Sequence, residues 1–282
     1  MNIAKLKQSN LSTLKPNAAI RLNPRVGFSQ NKLLGALSEN ELMSWENNLE
    51  PVDLARGQVL YERAGAVKHI YFPTTAIVSL MCNTAQGGSC EIAMVGNDGA
   101  VGISILMGED TIVHSAVALS EGLGFRMKAS LIKSAFDQSK DVQLLMLRYM
   151  QSLITQVSQT AVSNRHYSIE QQLSRRLLMW QDRLAVSELL VTQEMLGNML
   201  GVRRESVTEA AHKLQKAGLI RYSRGRVVIK DRIGLEKKCH EFYTSSHPNQ
   251  VSERAMLRNF GAAAKSPYCS TMLGKEEIRS YG

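Results

Sequence analysis

The segment from Thr192 to Lys230 constrains the fold of this chain more than any other part. Its sequence is TQEMLGNMLGVRRESVTEAAHKLQKAGLIRYSRGRVVIK. Thr192 is suited to cap a short helix whose apolar residues share one face, and Gly201 follows where such a helix would end. A second amphipathic helix begins almost at once and stops before Gly218. Two short helices joined by a glycine turn are typical of a helix-turn-helix.

The second of these helices keeps its apolar residues on one side, so a distinct set of polar side chains faces outward at its N-terminal end. DNA-reading helices contact bases from that end. Arginine can donate two hydrogen bonds to guanine and glutamate can accept one from cytosine, whereas short hydroxyl side chains suit phosphate. We therefore predict DNA contacts for Thr192, Arg203, Arg204, Glu205, Ser206, Thr208 and Glu209.

A basic hairpin is predicted directly after the second helix. The residues LIRYSRGRVVI alternate in polarity and contain a turn signal at Ser223-Arg224-Gly225-Arg226. Arg224 and Arg226 would flank the tip of this hairpin, where they could contact backbone phosphate like a wing. The alternative for the whole segment is an amphipathic helical pair with solvated charges and a surface hairpin.

Charge along the chain favours the same interpretation. The net charge is +9, and residues 165–232 hold 13 basic and 7 acidic residues, so +6 of the excess lies in this one segment. A focused positive field attracts a polyanion, which makes nucleic acid the leading partner class. A basic protein without such a partner is the alternative.

The preceding part of the chain predicts a compact β domain. Half of the 20 glycines lie between Gly57 and Gly124, where they separate short apolar runs that favour an antiparallel barrel or sandwich. Gly87-Gly88 is expected to close a hairpin between strands holding Cys82 and Cys90. Before this domain, Ser38 is a plausible N-cap of a short helix.

A long helix is predicted after the β domain, because residues 129–162 contain neither Gly nor Pro. Apolar residues follow one another at steps of three and four, as in a coiled coil, and they form a candidate dimerisation seam: Leu147, Met150, Ile154, Val157 and Ala161. The alternative is a helix buried within its own domain. A further helix is predicted from Ser168 to about Arg183.

Other classes of protein and site find little support in the sequence. No apolar run approaches the roughly 20 residues of a membrane span, and the N-terminus does not resemble a signal peptide, so we expect a cytoplasmic protein without membrane contact.

No P-loop, nucleophile elbow or metal cluster indicates an enzyme or a cofactor. Cys239, His240 and His247 are too few for structural zinc. Cys82 and Cys90 could face each other as a redox pair, with idle thiols as the alternative.

From about residue 31 to 243 the chain resembles the cyclic-AMP receptor protein and Fnr (Crp-Fnr) superfamily, most specifically at LGVRRESVTEAAHKLQKAGLI. The resemblance implies an α+β protein with a cyclic-nucleotide-binding-like β-roll at 31–138, a dimerisation helix at 139–165 and a winged helix-turn-helix at 166–243. Residues 1–30 and 244–282 would be flexible tails. It further implies a homodimeric, sequence-specific transcriptional regulator that binds palindromic double-stranded DNA, with base contacts by Arg204 and Glu205. RNA polymerase is a further candidate partner.

The effector pocket implied by the resemblance is degenerate in this chain. Cyclic-nucleotide-binding members hold the ligand with a Gly-Glu-Leu segment and an Arg-Ser pair, but the corresponding residues here are Gly99-Ala100-Val101 and His114-Ser115. Without the two charged side chains, we expect no cyclic-nucleotide binding. An N-terminal cysteine cluster for an iron–sulfur centre is also missing. The alternative function is a sensor or protein-interaction module whose helical tail contacts a partner.

Overall fold

A computed structural model describes residues 27–108, 112–184 and 188–239. Of the two predicted tails, only residues 27–30 fall within these ranges, and His240 and His247 lie outside them. Phe28 is buried and packs edge-on against Phe125, with ring centroids 4.7 Å apart. The packed part of the chain therefore begins before the predicted boundary at residue 31. No helix in the described ranges is long and apolar enough to cross a membrane.

The first half of the chain forms a β-roll. Two short helices precede it, α1 (Lys32–Gly35) and α2 (Glu39–Glu46), and Ser38 caps α2 as predicted by accepting from the Glu41 amide. Seven strands and a short 3₁₀ helix (Ile103–Met107) follow: β1 (Glu50–Leu54), β2 (Val59–Tyr61), β3 (His69–Pro73), β4 (Val78–Asn83), β5 (Ser89–Val95), β6 (Ser115–Ala118) and β7 (Gly122–Lys128).

The strands pair into two antiparallel sheets, with the orders β1-β7-β3 and β2-β6-β4-β5. The predicted hairpin is confirmed, because β4 and β5 pair with Cys82 opposite Cys90. Strands β1 and β7 were not predicted, since the first contains Pro51 and the second contains two glycines. Proline and glycine both weaken a strand pattern.

Two helices follow the β-roll in the stretch predicted to be helical, and the second nearly coincides with the helix expected at 139–165. These are α3 (Ala129–Gln138) and α4 (Lys140–His166), and the chain breaks at Ser139, whose side chain accepts from the Val142 amide and caps α4. The next helix, α5 (Ile169–Leu184), begins with the predicted capping box. Ser168 Oγ accepts from the Gln171 amide, and Gln171 Oε1 accepts from the Ser168 amide.

A winged helix-turn-helix follows α5. It consists of strand β8 (Glu188–Leu190), helices α6 (Gln193–Leu200) and α7 (Arg204–Lys216), strands β9 (Ile220–Ser223) and β10 (Arg226–Ile229), and helix α8 (Arg232–Cys239). The three strands form a sheet of order β8-β10-β9. Gly201 ends α6 with a φ of +67°, a left-handed conformation that glycine adopts without a steric penalty.

The β-roll and the helix-turn-helix share one apolar core. Leu177 and Leu214 lie in the same cluster of buried side chains as Ile77 and Met94 of the β-roll. Helix α5 therefore packs against the β-roll as well as against α7 and α8. This docking places the first helix of the helix-turn-helix against strand β5.

Candidate nucleic-acid interface

The N-terminal end of α7 carries most of the predicted DNA-contacting residues. Arg203 is the N-cap of this helix and Arg204 its first residue, and the helix packs inward through Val207, Ala210, Ala211 and Leu214. These small and branched residues let α7 lie close to α6, which leaves the opposite side open. Five predicted residues are exposed and Ser206 is half-buried; the exposed ones are Arg203, Arg204, Glu205, Thr208 and Glu209.

Gln193, a residue that was not predicted, connects α6 to this end of α7. Its Oε1 accepts from Arg204 Nε at 3.4 Å and lies 3.0 Å from the Thr208 hydroxyl. That hydroxyl is also 3.0 Å from the Arg204 carbonyl oxygen. Gln193 thereby holds two candidate contact residues in a fixed relation. The sequence places Gln193 directly after the N-cap Thr192, at the first position of α6, and gives no other indication of these contacts.

Thr192 lies where α6 meets the wing. Its Oγ1 accepts from the Met195 amide at 3.2 Å, so the predicted N-cap is confirmed. A methyl group placed on Gly225 would lie 3.7 Å from the Thr192 side chain, and the Val191 amide donates to the Gly225 carbonyl at 2.8 Å. The wing tip is therefore attached beside the start of α6.

The wing is a two-residue hairpin. Arg224 and Gly225 have φ values of +51° and +74°, and Ser223 pairs with Arg226 across the turn. Two positive φ angles are typical of a type I′ turn, which matches the twist of the flanking strands. Arg224 is exposed at the tip. Arg226 forms an exposed ion pair with Glu188 of β8, at 3.0 Å.

Glu209 is exposed but already engaged by a lysine. Lys213 Nζ lies 2.9 Å from Glu209 and 3.2 Å from Glu170, and these two carboxylates raise the pKa of Lys213. Lys238 contacts the same Glu170 at 3.2 Å. Glu209 can therefore affect DNA binding by offsetting the positive charge of Lys213 as well as by direct contact.

Three arginines of the basic segment 165–232 are buried. This corrects the prediction that the whole excess of +6 in this segment contributes to a positive surface field. Arg175, Arg176 and Arg183 of α5 are at most 8% exposed, so they cannot attract DNA at the surface. Arg183 pairs with Asp98 at 2.8 Å, and Arg175 contacts the Thr160 hydroxyl. The excess of +6 thus overstates the field available to a polyanion.

Arg176 forms a buried ion pair with Glu91 across the docked domains. Glu91 lies on β5 and is 0% exposed, while Arg176 on α5 is 2% exposed. Arg176 also donates to the Glu91 carbonyl oxygen at 3.1 Å, and the Ser79 hydroxyl donates to the Glu91 carboxylate at 2.6 Å. Burial lowers the pKa of Arg176 to about 10, which leaves the guanidinium charged at neutral pH.

The predicted dimerisation seam divides between two sides of α4. Leu147 and Ala161 are exposed, and Ile154 is 57% exposed, so these three residues line an open stripe. Met150 is only 7% exposed and lies in the core of the β-roll, and Val157 packs partly against the same domain. The side chain of Met150 faces inward because α4 packs along the β-roll.

The predicted effector segment is packed against α4. Ala100 and Val101 are each 1% exposed, and the Tyr149 hydroxyl donates to the Ala100 carbonyl at 2.8 Å. A methyl group on Gly99 would come within 2.3 Å of the Tyr149 ring. The side chain of Tyr149 therefore occupies the space directly beside this segment.

His114 is paired with a tyrosine in the same domain. Its Nε2 lies 3.0 Å from the Tyr61 hydroxyl, and burial lowers the pKa of the imidazole. The ring is therefore neutral at pH 7 and offers no fixed positive charge. Ser115 is buried, and its hydroxyl points to the Met81 carbonyl. Within the described residues, no group of three or more His, Cys, Asp or Glu could hold a metal ion.

The second part of this site matches a known domain family. Residues 171–238 match the model of the Crp-like helix-turn-helix domain. This range begins in α5 and ends in α8, so it includes both helices of the motif and the wing. No curated protein sequence matches the chain.

Several solved structures share the fold. FixK2 from Bradyrhizobium japonicum is 16% identical with a TM-score of 0.59, and the alignment covers 66% of this chain and 95% of that one. The c-di-GMP-responsive global regulator CLP from Xanthomonas campestris is 13% identical with a TM-score of 0.58, over 68% and 99% of the two chains. A CRP-family transcriptional regulator from Thermus thermophilus, TTHB099, is 18% identical with a TM-score of 0.57, over 67% and 96%.

Proposed function

We propose that this chain, a transcriptional regulator of the Crp/Fnr type, binds a palindromic DNA site as a homodimer. Its Crp-like helix-turn-helix domain lies at residues 171–238. Regulators of this type are not enzymes. Its β-roll would act as an effector-type domain that does not take cyclic nucleotides.

One observation carries the proposal of DNA binding. Gly225 at the wing tip lies beside Thr192. The next residue, Gln193, forms hydrogen bonds with Arg204 and Thr208 of α7. The wing and the N-terminal end of α7 thus form one exposed surface with cationic side chains at both ends. A surface of this kind can insert a helix end in the major groove while the wing contacts backbone phosphate.

The proposal of a homodimer rests on the open stripe of α4. Two more exposed apolar side chains, Leu144 and Val162, extend the stripe formed by Leu147, Ile154 and Ala161. A large apolar patch on the surface of a soluble domain is typical of an interaction site. Two copies of α4 packed along this stripe would relate two helix-turn-helix units by a two-fold axis, which suits a palindrome.

Selection of bound duplexes from a random DNA pool would test the function directly. We expect enrichment of a palindromic sequence, and affinity for it should fall steeply with salt because phosphate contacts release counterions. A pool that shows no enrichment, with salt-independent binding, would instead favour the sensor or protein-interaction module.

Arg204→Ala should weaken binding to the selected site by about 1–3 kcal/mol, because a bidentate contact to a base would be lost. Specificity at one base pair should also relax, which competition between substituted duplexes would measure. Arg63→Ala removes an equal charge from an exposed position of the β-roll and serves as the matched control. An equal loss of affinity for specific and random duplexes would show that Arg204 contacts phosphate rather than a base.

Arg224→Ala combined with Arg226→Ala should weaken all duplexes to a similar degree. The slope of log affinity against log salt should become shallower by about two, since each phosphate contact contributes roughly one. Arg224→Ala alone should make the slope shallower by about one, because it removes a single phosphate contact. A titration in which the double variant keeps the original slope would exclude the wing from the interface.

Cyclic AMP and cyclic GMP should not bind at pH 7. The segment beside Tyr149 offers no acceptor for a ribose hydroxyl, and the neutral His114 offers no counter-charge for phosphate. Calorimetry at pH 7 would measure this, and stoichiometric binding in the micromolar range would contradict it. Binding that appears only in acid would mean that a protonated His114 replaces the arginine.

A further inference from the structure

Cys82 and Cys90 lie at a domain contact that the proposed DNA interface and the effector segment do not use. They are directly opposed in the antiparallel register of β4 and β5, and both are half-buried free thiols. Opposed residues in antiparallel strands have Cα atoms about 4.5–5.5 Å apart. A disulfide requires about 4.4–6.8 Å. The backbone spacing expected for this pair is therefore compatible with a disulfide.

The same end of β5 contacts the turn of the helix-turn-helix. A methyl group placed on Gly201 would lie 3.4 Å from the Cβ of Cys90 and 3.6 Å from the Ser89 carbonyl oxygen. Gly201 joins α6 to the residues that begin α7. Cys90 therefore lies directly beside the turn that joins α6 to α7.

The surroundings of the two thiols differ. The Arg176 guanidinium lies within electrostatic reach of Cys90, but it is also paired with the Glu91 carboxylate. For Cys82, burial and the nearby Cys90 raise the pKa of the thiol, while Arg63 lowers it to a smaller extent. Because burial disfavours the Cys82 thiolate, Cys90 is assigned as the attacking group and Cys82 as the resolving group.

We propose that Cys82 and Cys90 form a reversible dithiol–disulfide site that couples the redox state of low-molecular-weight disulfides to the helix-turn-helix. The Cys90 thiolate attacks one sulfur of a disulfide such as oxidised glutathione, whose S–S bond breaks and releases one thiol. The Cys82 thiolate then attacks the Cys90 sulfur, and the second thiol leaves. Two protein thiols are oxidised, one small disulfide is reduced to two thiols, and the thiol protons pass to the leaving thiolates.

The chemistry is tested on the full chain with oxidised glutathione, followed by thiol blocking, digestion and mass spectrometry. The wild type should yield a peptide linked through Cys82 and Cys90, and Cys82→Ser should retain glutathione on Cys90. Cys239→Ser is the matched control and should behave as the wild type, because burial raises the pKa of Cys239 to about 12. Absence of the linked peptide in the wild type, or of the adduct in Cys82→Ser, would overturn the site.

The coupling rests on the proposed function and needs two further readouts. Oxidation should shift the amide resonance of Gly201 in glycine-labelled protein. It should also change the affinity for the selected duplex by about fivefold or more, the lower end of typical coupling between sites. Both effects should vanish in Cys82→Ser. An unmoved Gly201 resonance with equal affinities would overturn the coupling. If neither redox form binds DNA although the resonance shifts, the DNA-binding proposal fails and the redox site stands.

Discussion

Arg176→Met is expected to lower the free energy of unfolding by about 3–5 kcal/mol, because it leaves the Glu91 carboxylate buried without its charged partner. Ser79 would still donate to Glu91, but one hydroxyl cannot offset the desolvation of a carboxylate. The methionine keeps much of the side-chain volume. The decrease in the free energy of unfolding therefore reflects the missing charge and its hydrogen bonds rather than a cavity. Urea denaturation of both proteins would measure the difference.

Two comparison variants make this result specific. Arg126→Met breaks an exposed ion pair with Glu50, at 2.9 Å, and should cost less than about 1 kcal/mol. Arg176→Met combined with Glu91→Leu removes both charges and should recover most of the lost stability, since buried ion pairs are often replaceable by apolar residues. The interpretation would be wrong if Arg176→Met were no more destabilised than Arg126→Met.

Ile154→Glu is expected to prevent formation of the proposed homodimer and to yield monomers. In a dimer packed along the stripe of α4, the new carboxylate would be buried against the same residue of the second copy, which costs several kcal/mol. In the separate chain Ile154 is 57% exposed, so the substitution should leave folding intact. Sedimentation equilibrium would measure the oligomeric state, and affinity for the palindrome should fall sharply because only one half-site can be held.

Ser134→Glu adds the same charge at an exposed position of α3 and should remain dimeric with unchanged DNA binding. Circular dichroism of both variants would verify that the helices are retained. If Ile154→Glu were still dimeric and still bound DNA, the dimer contact would have to lie elsewhere, and the open stripe would serve another purpose.

Local signals in the sequence predicted the winged helix-turn-helix closely. The cap at Thr192, the left-handed Gly201 and the turn at Arg224-Gly225 each depend on residue types within a few positions of one another. Such short-range preferences remain valid whatever the rest of the chain does. The capping box at Ser168 and the hairpin that pairs Cys82 with Cys90 were predictable for the same reason.

Predictions that depended on distant partners were less accurate. Strands β1 and β7 pair with each other although neither alternates cleanly, because long-range pairing outweighs local propensity. Periodicity placed Met150 on the seam, but the β-roll packs against that side of α4. The role of Gln193 was also missed, since its two partners lie 11 and 15 residues away along the chain.

Apolar periodicity and turn chemistry were enough to predict the two helices of the motif, the wing and the residues that α7 exposes. Which charges remain at the surface, and where the helix-turn-helix docks, depends on contacts between distant parts of the chain. Arg176 was counted among the cations available to DNA, yet it lies in the core opposite Glu91, which is 85 residues away. A charge is stable in the core only where folding supplies an opposite charge or hydrogen-bond partners, and no local pattern encodes the Arg176–Glu91 pair.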